Sequence, residues 1–486
     1  MNDISLAIIS FVYIFAVIGV SAIVRKINNN EEISRKIIHI FVGNWILLSP
    51  FFENIFVAAG IPFSFIIINF LSVQYNLIPS MEREGDKKSY GTVYYAISLF
   101  ILTLIAHYTG MWTISIVGVL IMAYGDGLAA IIGEKYGRNY LKIEKSKTVQ
   151  GSLIVLIAAV LITFIVAIIN KPTFSLKIIF INLLIAIING IFAMYIEISG
   201  KNGSDNISLP IGSGIFAGLL IHHFSWMQVA IILLSALILY LAYRKNSITL
   251  TGAITAISVA QSLFVFLGIN VYISLILFFI LGTIVSKINN INKEESNTKK
   301  MKFHARDWKQ VLANSLPAVV LAWISYFDPN PKYTLLAIAV FAAANADTFS
   351  SELGKLSEFR VFNILNGKTL PKGLSGGVSV PGLFAGFLGS ALISLLAISQ
   401  FAFKGFLISF SLGCLGTIID SILGVLFQKK YLGTDGELQD FPMNEGDQPV
   451  KGLSFVDNNW INLITITIVP ILGLLILSVL SCTNFN

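Results

Sequence analysis

Apolar runs of roughly 20 residues recur along the whole chain with short polar gaps between them, the pattern of helices that cross a membrane. About sixteen runs are predicted, at roughly 4–24, 37–52, 54–72, 92–108, 111–130, 152–169, 174–196, 207–222, 226–243, 250–267, 270–286, 311–326, 332–350, 376–398, 405–427 and 461–481. The gaps alternate in charge. Every Lys and Arg except Lys171, Lys177, Lys332 and Lys404 falls in an odd-numbered gap. By the positive-inside rule those gaps are cytoplasmic and both termini lie outside. The first run spans and lacks a basic leader, so it reads as the first helix and not as a signal peptide. The run 207–222 carries Pro210, Gly212, Gly214 and Gly218, which predicts a broken or re-entrant helix lining a cavity.

Composition sharpens this picture. The 486 residues are 55% hydrophobic and 12% charged, with a mean hydropathy of +0.80. So few charges cannot cover that much apolar surface in water, which excludes a soluble protein. The expected fold class is all-α, a polytopic integral membrane protein. The net charge of +7 is spread over loops beside the spans, so no nucleic acid partner is expected. The two cysteines, Cys414 and Cys482, form neither a disulfide framework nor a metal spacing. A boundary is expected near Arg244-Lys245-Asn246, giving a first unit at 1–225, a connecting helix at 226–245 and a second unit at 246–486.

Candidate chemistry clusters at the expected cytoplasmic ends. Tyr124-Gly125-Asp126-Gly127 places an acid between two glycines, and Gly133 and Gly137 follow. The loop beyond holds Lys135, Arg138, Lys142, Lys145 and Lys147 and closes on Thr148 and Gly151-Ser152. Such acids hold divalent cations, such glycines admit close backbone approach, and such lysines meet phosphate. Ser34-Arg35-Lys36 precedes His39, and Glu197 precedes Asp205-Asn206 and Pro210. Arg35 and His39, four apart, share a helix face. Each cluster also has a plainer reading. Arg35 and Lys36 serve as topology anchors, His39 as a buried hydrogen-bonding residue, Asp126 as a cap and 202–206 as a turn.

The second half repeats the pattern. Asp347 stands seven residues before Gly354, as Asp126 does before Gly133. Asp347 and Glu352 are close enough to need a cation, either Lys355 or a metal. Lys372-Gly373-Leu374-Ser375-Gly376-Gly377 places glycine-rich backbone before a span, where amides bind anions; its plainer reading is a tight turn. Asp420 lies in an apolar run, which is costly without a partner or ion. Asp457-Asn458-Asn459 and Arg306-Asp307 flank other spans.

On these motifs the first unit resembles the polyprenol kinase family, which includes dolichol kinase and chloroplast phytol kinase and is related to phosphatidate cytidylyltransferase. The matching residues are Ser34-Arg35-Lys36 with His39, Gly125-Asp126-Gly127-Leu128-Ala129 with Gly133, Lys147-Thr148 with Gly151-Ser152, and Glu197 with Asp205-Asn206 and Pro210. The resemblance implies phosphoryl transfer from CTP, or another nucleoside triphosphate, to an isoprenoid alcohol. Such transfer needs a divalent cation, Mg2+ or Mn2+, and positive charge against the phosphates. Asp126 and Asp205 are then the metal candidates and Arg35 and Lys147 the phosphate candidates. Gly125, Gly127, Gly151, Ser152 and Asn206 surround the nucleotide, and Glu197 or His39 takes the alcohol proton.

The second unit resembles the integral membrane family of chloroplast phytyl-phosphate kinase and animal transmembrane protein 19. The matching residues are Arg306-Asp307 with Asn314, Ala346-Asp347-Thr348 with Ser351-Glu352 and Gly354, Gly373 with Ser375-Gly376-Gly377, Asp420-Ser421 with Gly424 and Gln428, and Asp457-Asn458-Asn459 with Asn462. Phe349 replaces the family's usual Trp, and the loop from Lys429 to Lys451 has no counterpart. Asp347 and Asp420 are its catalytic candidates. Asp347, Glu352, Asp420 and Asp457 are its metal candidates, and Arg306, Lys372, Gly373, Ser375, Gly376, Gly377, Asn458 and Asn459 its ligand-binding ones. Together the two resemblances imply a bifunctional kinase of the plasma membrane, with sites facing the cytoplasm, that converts a phytol-type alcohol to its monophosphate and then to its diphosphate. Two rivals remain: a two-repeat transporter, and a cytidylyltransferase acting on a lipid phosphate.

Overall fold

The computed structural model describes residues 2–28, 31–75, 77–78, 90–141, 147–171, 175–295, 305–433, 436–442 and 446–482. Lys142 and Lys145 lie outside them. The protein is all-α and polytopic. Among the described residues twelve stretches are long and apolar enough to cross a membrane, fewer than the sixteen runs of the sequence reading. The differences are local. Run 37–52 is the end of a 13-residue helix followed by two short 3-10 turns. Run 311–326 is divided between helices of 6 and 12 residues. Run 207–222 forms a helix whose Asp205, Asn206 and His222 lower its hydropathy. Runs 376–398 and 405–427 fall in one apolar stretch, Val380–Leu426.

The chain divides into two compact units, Met1–Gln228 and Val229–Asn486. The first holds α1 (Asp3–Asn28), α2 (Glu31–Gly43), α3 (Ile55–Tyr75), α4 (Gly91–Thr109), α5 (Trp112–Leu120), α6 (Gly127–Tyr136), α7 (Val149–Asn170), α8 (Leu176–Ser199) and α9 (Asp205–His222). Thr148 and Ser175 cap α7 and α8, accepting from the amides of Gly151 and Ile178; such a cap contributes about 1 kcal/mol. The helix α9 is largely buried, continuous and not broken. Its glycines serve packing. A Cβ at Gly214 would strike the Ile114 carbonyl and one at Gly118 the Pro210 carbonyl, so α5 and α9 pack backbone to backbone, as small residues allow in membranes.

The second unit holds α10 (Trp226–Arg244), which begins just before it, then α11 (Leu250–Leu267), α12 (Ile269–Glu295), α13 (Trp308–Ala313), α14 (Leu316–Phe327), α15 (Pro331–Gly354), α16 (Val380–Ser394), α17 (Ile398–Leu426) and α18 (Asn458–Cys482). Its core is α15, buried from Tyr333 to Ala346. Ala342, Ala343 and Ala346 face Gly413, Gly416 and Gly386 of its neighbours at distances that leave no room for larger side chains. The arms α16 and α17 run antiparallel, joined by Ser390 to the Phe410 carbonyl and Ser394 to Ser409. The reversal comes at Ala402, whose φ of 53° is non-helical. Between helices lie two small sheets, β1 (Val361–Asn363) between β2 (Thr369–Leu370) and β3 (Gly377–Val378), and β4 (Tyr431–Leu432) paired with β5 (Leu438–Gln439).

Candidate functional site

In the first unit α5 passes through a π-helical turn, Ile121–Asp126, into α6. Such wide turns interrupt regular hydrogen bonding and occur often at functional sites. The turn ends on Asp126. Its Oδ2 accepts from Lys36 Nζ at 3.1 Å and lies 3.2 Å from His39 Nε2. Both partners come from α2, where Glu32, Lys36 and His39 follow at four and three and so share a face. Burial, with Lys36 beside it, holds the His39 imidazole down to about 4. It is therefore neutral, and its Nε2–H donates to Asp126 or to the Met122 carbonyl at 3.1 Å.

A second charged group adjoins the first. Lys147 Nζ lies 2.9 Å from Glu197 Oε1 and 3.2 Å from Asp205 Oδ2, and it also donates to the Glu197 carbonyl. Ser152 Oγ donates to Glu197 Oε2 at 3.2 Å. Burial opposes the charge on Lys147, but Glu197 and Asp205 outweigh it and hold the amine above the usual lysine value.

These residues line one cavity of about 1500 Å³. Sites for a single small ligand usually measure ~300–1000 Å³, so there is room here for two reactants. Its lining combines these charged groups with apolar side chains: Ile14 and Ile18 of α1, Trp45 of the 3-10 turn, Ile61 and Phe65 of α3, and Leu99 of α4.

Of the residues singled out in the sequence, Arg35, His39, Asp126, Lys147, Gly151, Ser152, Glu197, Asp205 and Asn206 share this cavity. Arg35 turns to Glu32 at 2.6 Å. Gly125 and Gly127 are absent from the lining; at Gly127 a Cβ would strike Ile40, so this glycine lets α2 approach. The sequence marks Lys36 only as an anchor and motif neighbour, yet it is the amine that meets Asp126; its spacing with Glu32 and His39 on one helix face is the signal for it.

Among the described residues no three His, Cys, Asp or Glu side chains are grouped to hold a metal ion. Mg2+ in phosphoryl-transfer sites commonly takes one or two carboxylates and completes its shell with phosphate oxygens and water. The ion pairs described for Asp126 and Asp205 fall on Oδ2, and one carboxylate from each is the kind of donor such an ion takes.

In the second unit Asp347 of α15 and Asp420 of α17 come within hydrogen-bonding reach of each other, an arrangement that needs a proton or cation between two carboxyls. Thr465 of α18 donates to Asp420 Oδ1 at 3.2 Å. Beside them is a pocket of about 200 Å³ lined by Arg306, Asp347, Glu352, Asn458, Asn459 and Asn462, among others. Glu352 lies 3.8 Å from Lys355.

Other candidates of this unit lie elsewhere. Asp457 caps the start of α18, accepting from the amides of Asn459 at 3.0 Å and Trp460 at 3.2 Å. Lys372, Gly373, Ser375, Gly376 and Gly377 do not line the pocket. The Ser375 amide and hydroxyl donate to Asp440 at 2.9 and 2.7 Å, and Lys430 Nζ donates to the Ser375 carbonyl at 3.0 Å. Lys372 Nζ donates to the Ser357 carbonyl, Gly377 belongs to β3, and Gly373 and Gly376 take φ near +85° and +80°. The plainer reading, a tight turn, describes this loop. Asp440 and Lys430, from the loop without a counterpart, fasten it.

The family described as integral membrane protein DUF92 matches residues 233–469. A phytol kinase of Synechocystis sp. is 30% identical over 210 residues, 42% of this chain and 87% of that protein. An uncharacterized membrane protein of Methanocaldococcus jannaschii is 38% identical over 167 residues, 34% of this chain and 68% of that protein. Protein PGR of Arabidopsis thaliana is 28% identical over 276 residues, 50% of this chain and 93% of that protein. No solved structure matches. The phytol kinase likeness, spread over most of that enzyme's length, places the chain in the phytol kinase family of integral membrane proteins.

Proposed function

We propose that the first unit phosphorylates an isoprenoid alcohol of the phytol or geranylgeraniol type, with CTP or another nucleoside triphosphate as donor. The observation that carries this reading is that one cavity is lined by both a charged cluster and apolar side chains. A polyphosphate suits the first and an isoprenoid chain the second, and their junction is where a hydroxyl would meet a phosphoryl group.

At rest Lys36 and Lys147 are paired with acids. Triphosphate oxygens compete for those amines, and charge-assisted bonds of this type are among the stronger ones available. Release from Lys147 leaves the Glu197 carboxylate free to accept the alcohol proton. The alcohol oxygen then bonds the terminal phosphorus, the bond from that phosphorus to the bridging oxygen breaks, and the nucleoside diphosphate leaves with the electron pair. Lys36 and Lys147 stabilise the charge that moves onto the phosphate oxygens. His39, neutral, positions Asp126. Mg2+, held by Asp126 and Asp205, would neutralise phosphate charge.

In the finer reading the two units are tandem modules, and the second adds another phosphoryl group to give the diphosphate. Support comes from Asp347, Glu352 and Arg306 around one pocket. The basic residues beside both sites support a cytoplasmic face for them by the positive-inside rule, and the plasma membrane is the proposed location. The test is product analysis by mass spectrometry after incubating purified protein with phytol or geranylgeraniol and each nucleoside triphosphate. Isoprenyl monophosphate with release of nucleoside diphosphate is expected, followed by isoprenyl diphosphate. Pyrophosphate release would instead indicate a cytidylyltransferase, and no phosphorylated product with any nucleotide would sink the kinase reading.

A further inference from the structure

The Arg306 guanidinium has no hydrogen-bond or ion-pair partner among the described residues. Its carbon lies 5.5 Å from the ring centres of both Phe278 and Phe279. Burial holds it down to about 10, and Glu352 acts on it only at longer range. The side chain is half-buried and opens onto a pocket, and a partly desolvated cation without a counter-ion costs stability. It persists here because the backbone is fixed. The Arg306 amide donates to the Ser247 carbonyl at 3.1 Å, and the Arg306 carbonyl accepts from the Thr249 amide at 3.0 Å. Thr249 in turn caps α11. Room for the guanidinium comes from Gly282, where a Cβ would lie 2.7 Å from Nη2.

Around this cation the pocket is lined by neutral polar groups, Asn314, Asn458, Asn459, Asn462 and Ser351, together with two acids, Asp347 and Glu352. The Asn458 amide donates to Asn462 at 3.4 Å and the Asn462 amide to Asn314 at 3.5 Å, long bonds that are easily exchanged for bonds to a ligand, whereas the Asn314 amide and the Ser351 hydroxyl also donate to the Gln310 and Thr348 carbonyls at 2.8 and 3.3 Å. A guanidinium edge matches two oxygens of a carboxylate or phosphate. The further ring of amide and hydroxyl donors matches the third oxygen that only the tetrahedral anion has. At about 200 Å³ the pocket is smaller than the ~300–1000 Å³ of ordinary ligand sites. It holds a phosphoryl group and its first ester link, not a whole nucleotide.

We propose that Arg306 anchors a phosphoryl-binding pocket in the second unit, with Asn458, Asn459, Asn462, Asn314 and Ser351 as its neutral donors, for the head of a phosphate monoester. The assignment deepens the second-transfer reading but is tested by binding. A pocket that binds isoprenyl monophosphate without converting it would sink that reading and leave this one standing.

The experiment is hydrogen–deuterium exchange on the full chain in detergent, read at residues 305–315 and 458–462, with farnesyl monophosphate, inorganic phosphate or CTP added. Reading these segments separates the pocket from the first unit. Farnesyl monophosphate is expected to protect both segments. Its midpoint should rise at least about thirtyfold in Arg306→Gln, as for loss of one partner of a buried charge pair, and similarly in Gly282→Val, which displaces the guanidinium. Without ligand, Arg306→Gln should melt no lower than wild type, because it removes an uncompensated charge. Protection by inorganic phosphate as well would mean that the free anion suffices. Protection by CTP alone would make a nucleotide the phosphoryl source and overturn the monoester assignment. No protection by any probe, an unchanged midpoint in Arg306→Gln, or a markedly lower melting temperature for that variant would overturn the proposal.

Discussion

The two units handle buried charge in opposite ways. In the first, Asp126, Glu197 and Asp205 each meet an amine, and Lys36 and Lys147 are both engaged. In the second, Asp347 and Asp420 face each other, and Arg306 faces an open pocket. A paired cluster is stable at rest and must be opened by a competing ligand. An unpaired cation costs stability at rest and recovers it when the ligand arrives. The first arrangement suits a large ligand that displaces several pairs together, the second a small anion that fills one gap.

The comparison breaks most sharply at the acids. Asp126→Ala should lower phosphorylation of the alcohol by about a thousandfold while supplied monophosphate is still converted. Asp347→Ala should do the reverse, so that monophosphate accumulates in product analysis. If either variant blocks both steps equally, the units do not carry separate sites.

The next effect is on stability. Lys36→Met strands the buried Asp126 and should cost about 3–5 kcal/mol in thermal or denaturant unfolding, in contrast to Arg306→Gln. If both variants melt alike, the contrast between paired and unpaired charge is wrong.

A pH experiment probes the same cluster. The His39 imidazole is held at about 4 against an ordinary 6.5. Between those values the unfolded chain binds more protons than the folded one, so stability is intact above pH 6.5 and declines as pH falls toward 4. The loss should approach about 3 kcal/mol and be missing in His39→Gln. A wild type and variant with the same pH dependence would show that the imidazole is not held neutral.

The smallest effect belongs to the glycine turn of the second unit. Asp440→Ala removes the acceptor of two bonds from Ser375 and should cost about 2 kcal/mol while leaving phosphorylation of the alcohol unchanged. A loss of anion binding instead would return that loop to the list of ligand contacts.

Hydrophobic period and charge alternation determined by themselves that this is an all-α membrane protein, because lipid requires backbone groups to be satisfied within each helix. They also marked most of the charged residues of the first cavity, since acids and amines beside apolar spans are costly enough to stand out. Periodicity could not say that Pro210 and its neighbouring glycines serve packing, because a glycine that breaks a helix and one that admits another helix look alike in sequence. Nor could it choose Lys36 over Arg35. They are adjacent, and the direction of each side chain depends on how α2 meets the π turn at Asp126. The same limit applied to Ser375 and Arg306. One is closed off by Asp440, 65 residues away, and the other is left without a counter-ion. Whether a charge or an amide is satisfied depends on contacts between distant segments, and those exist only in the folded chain.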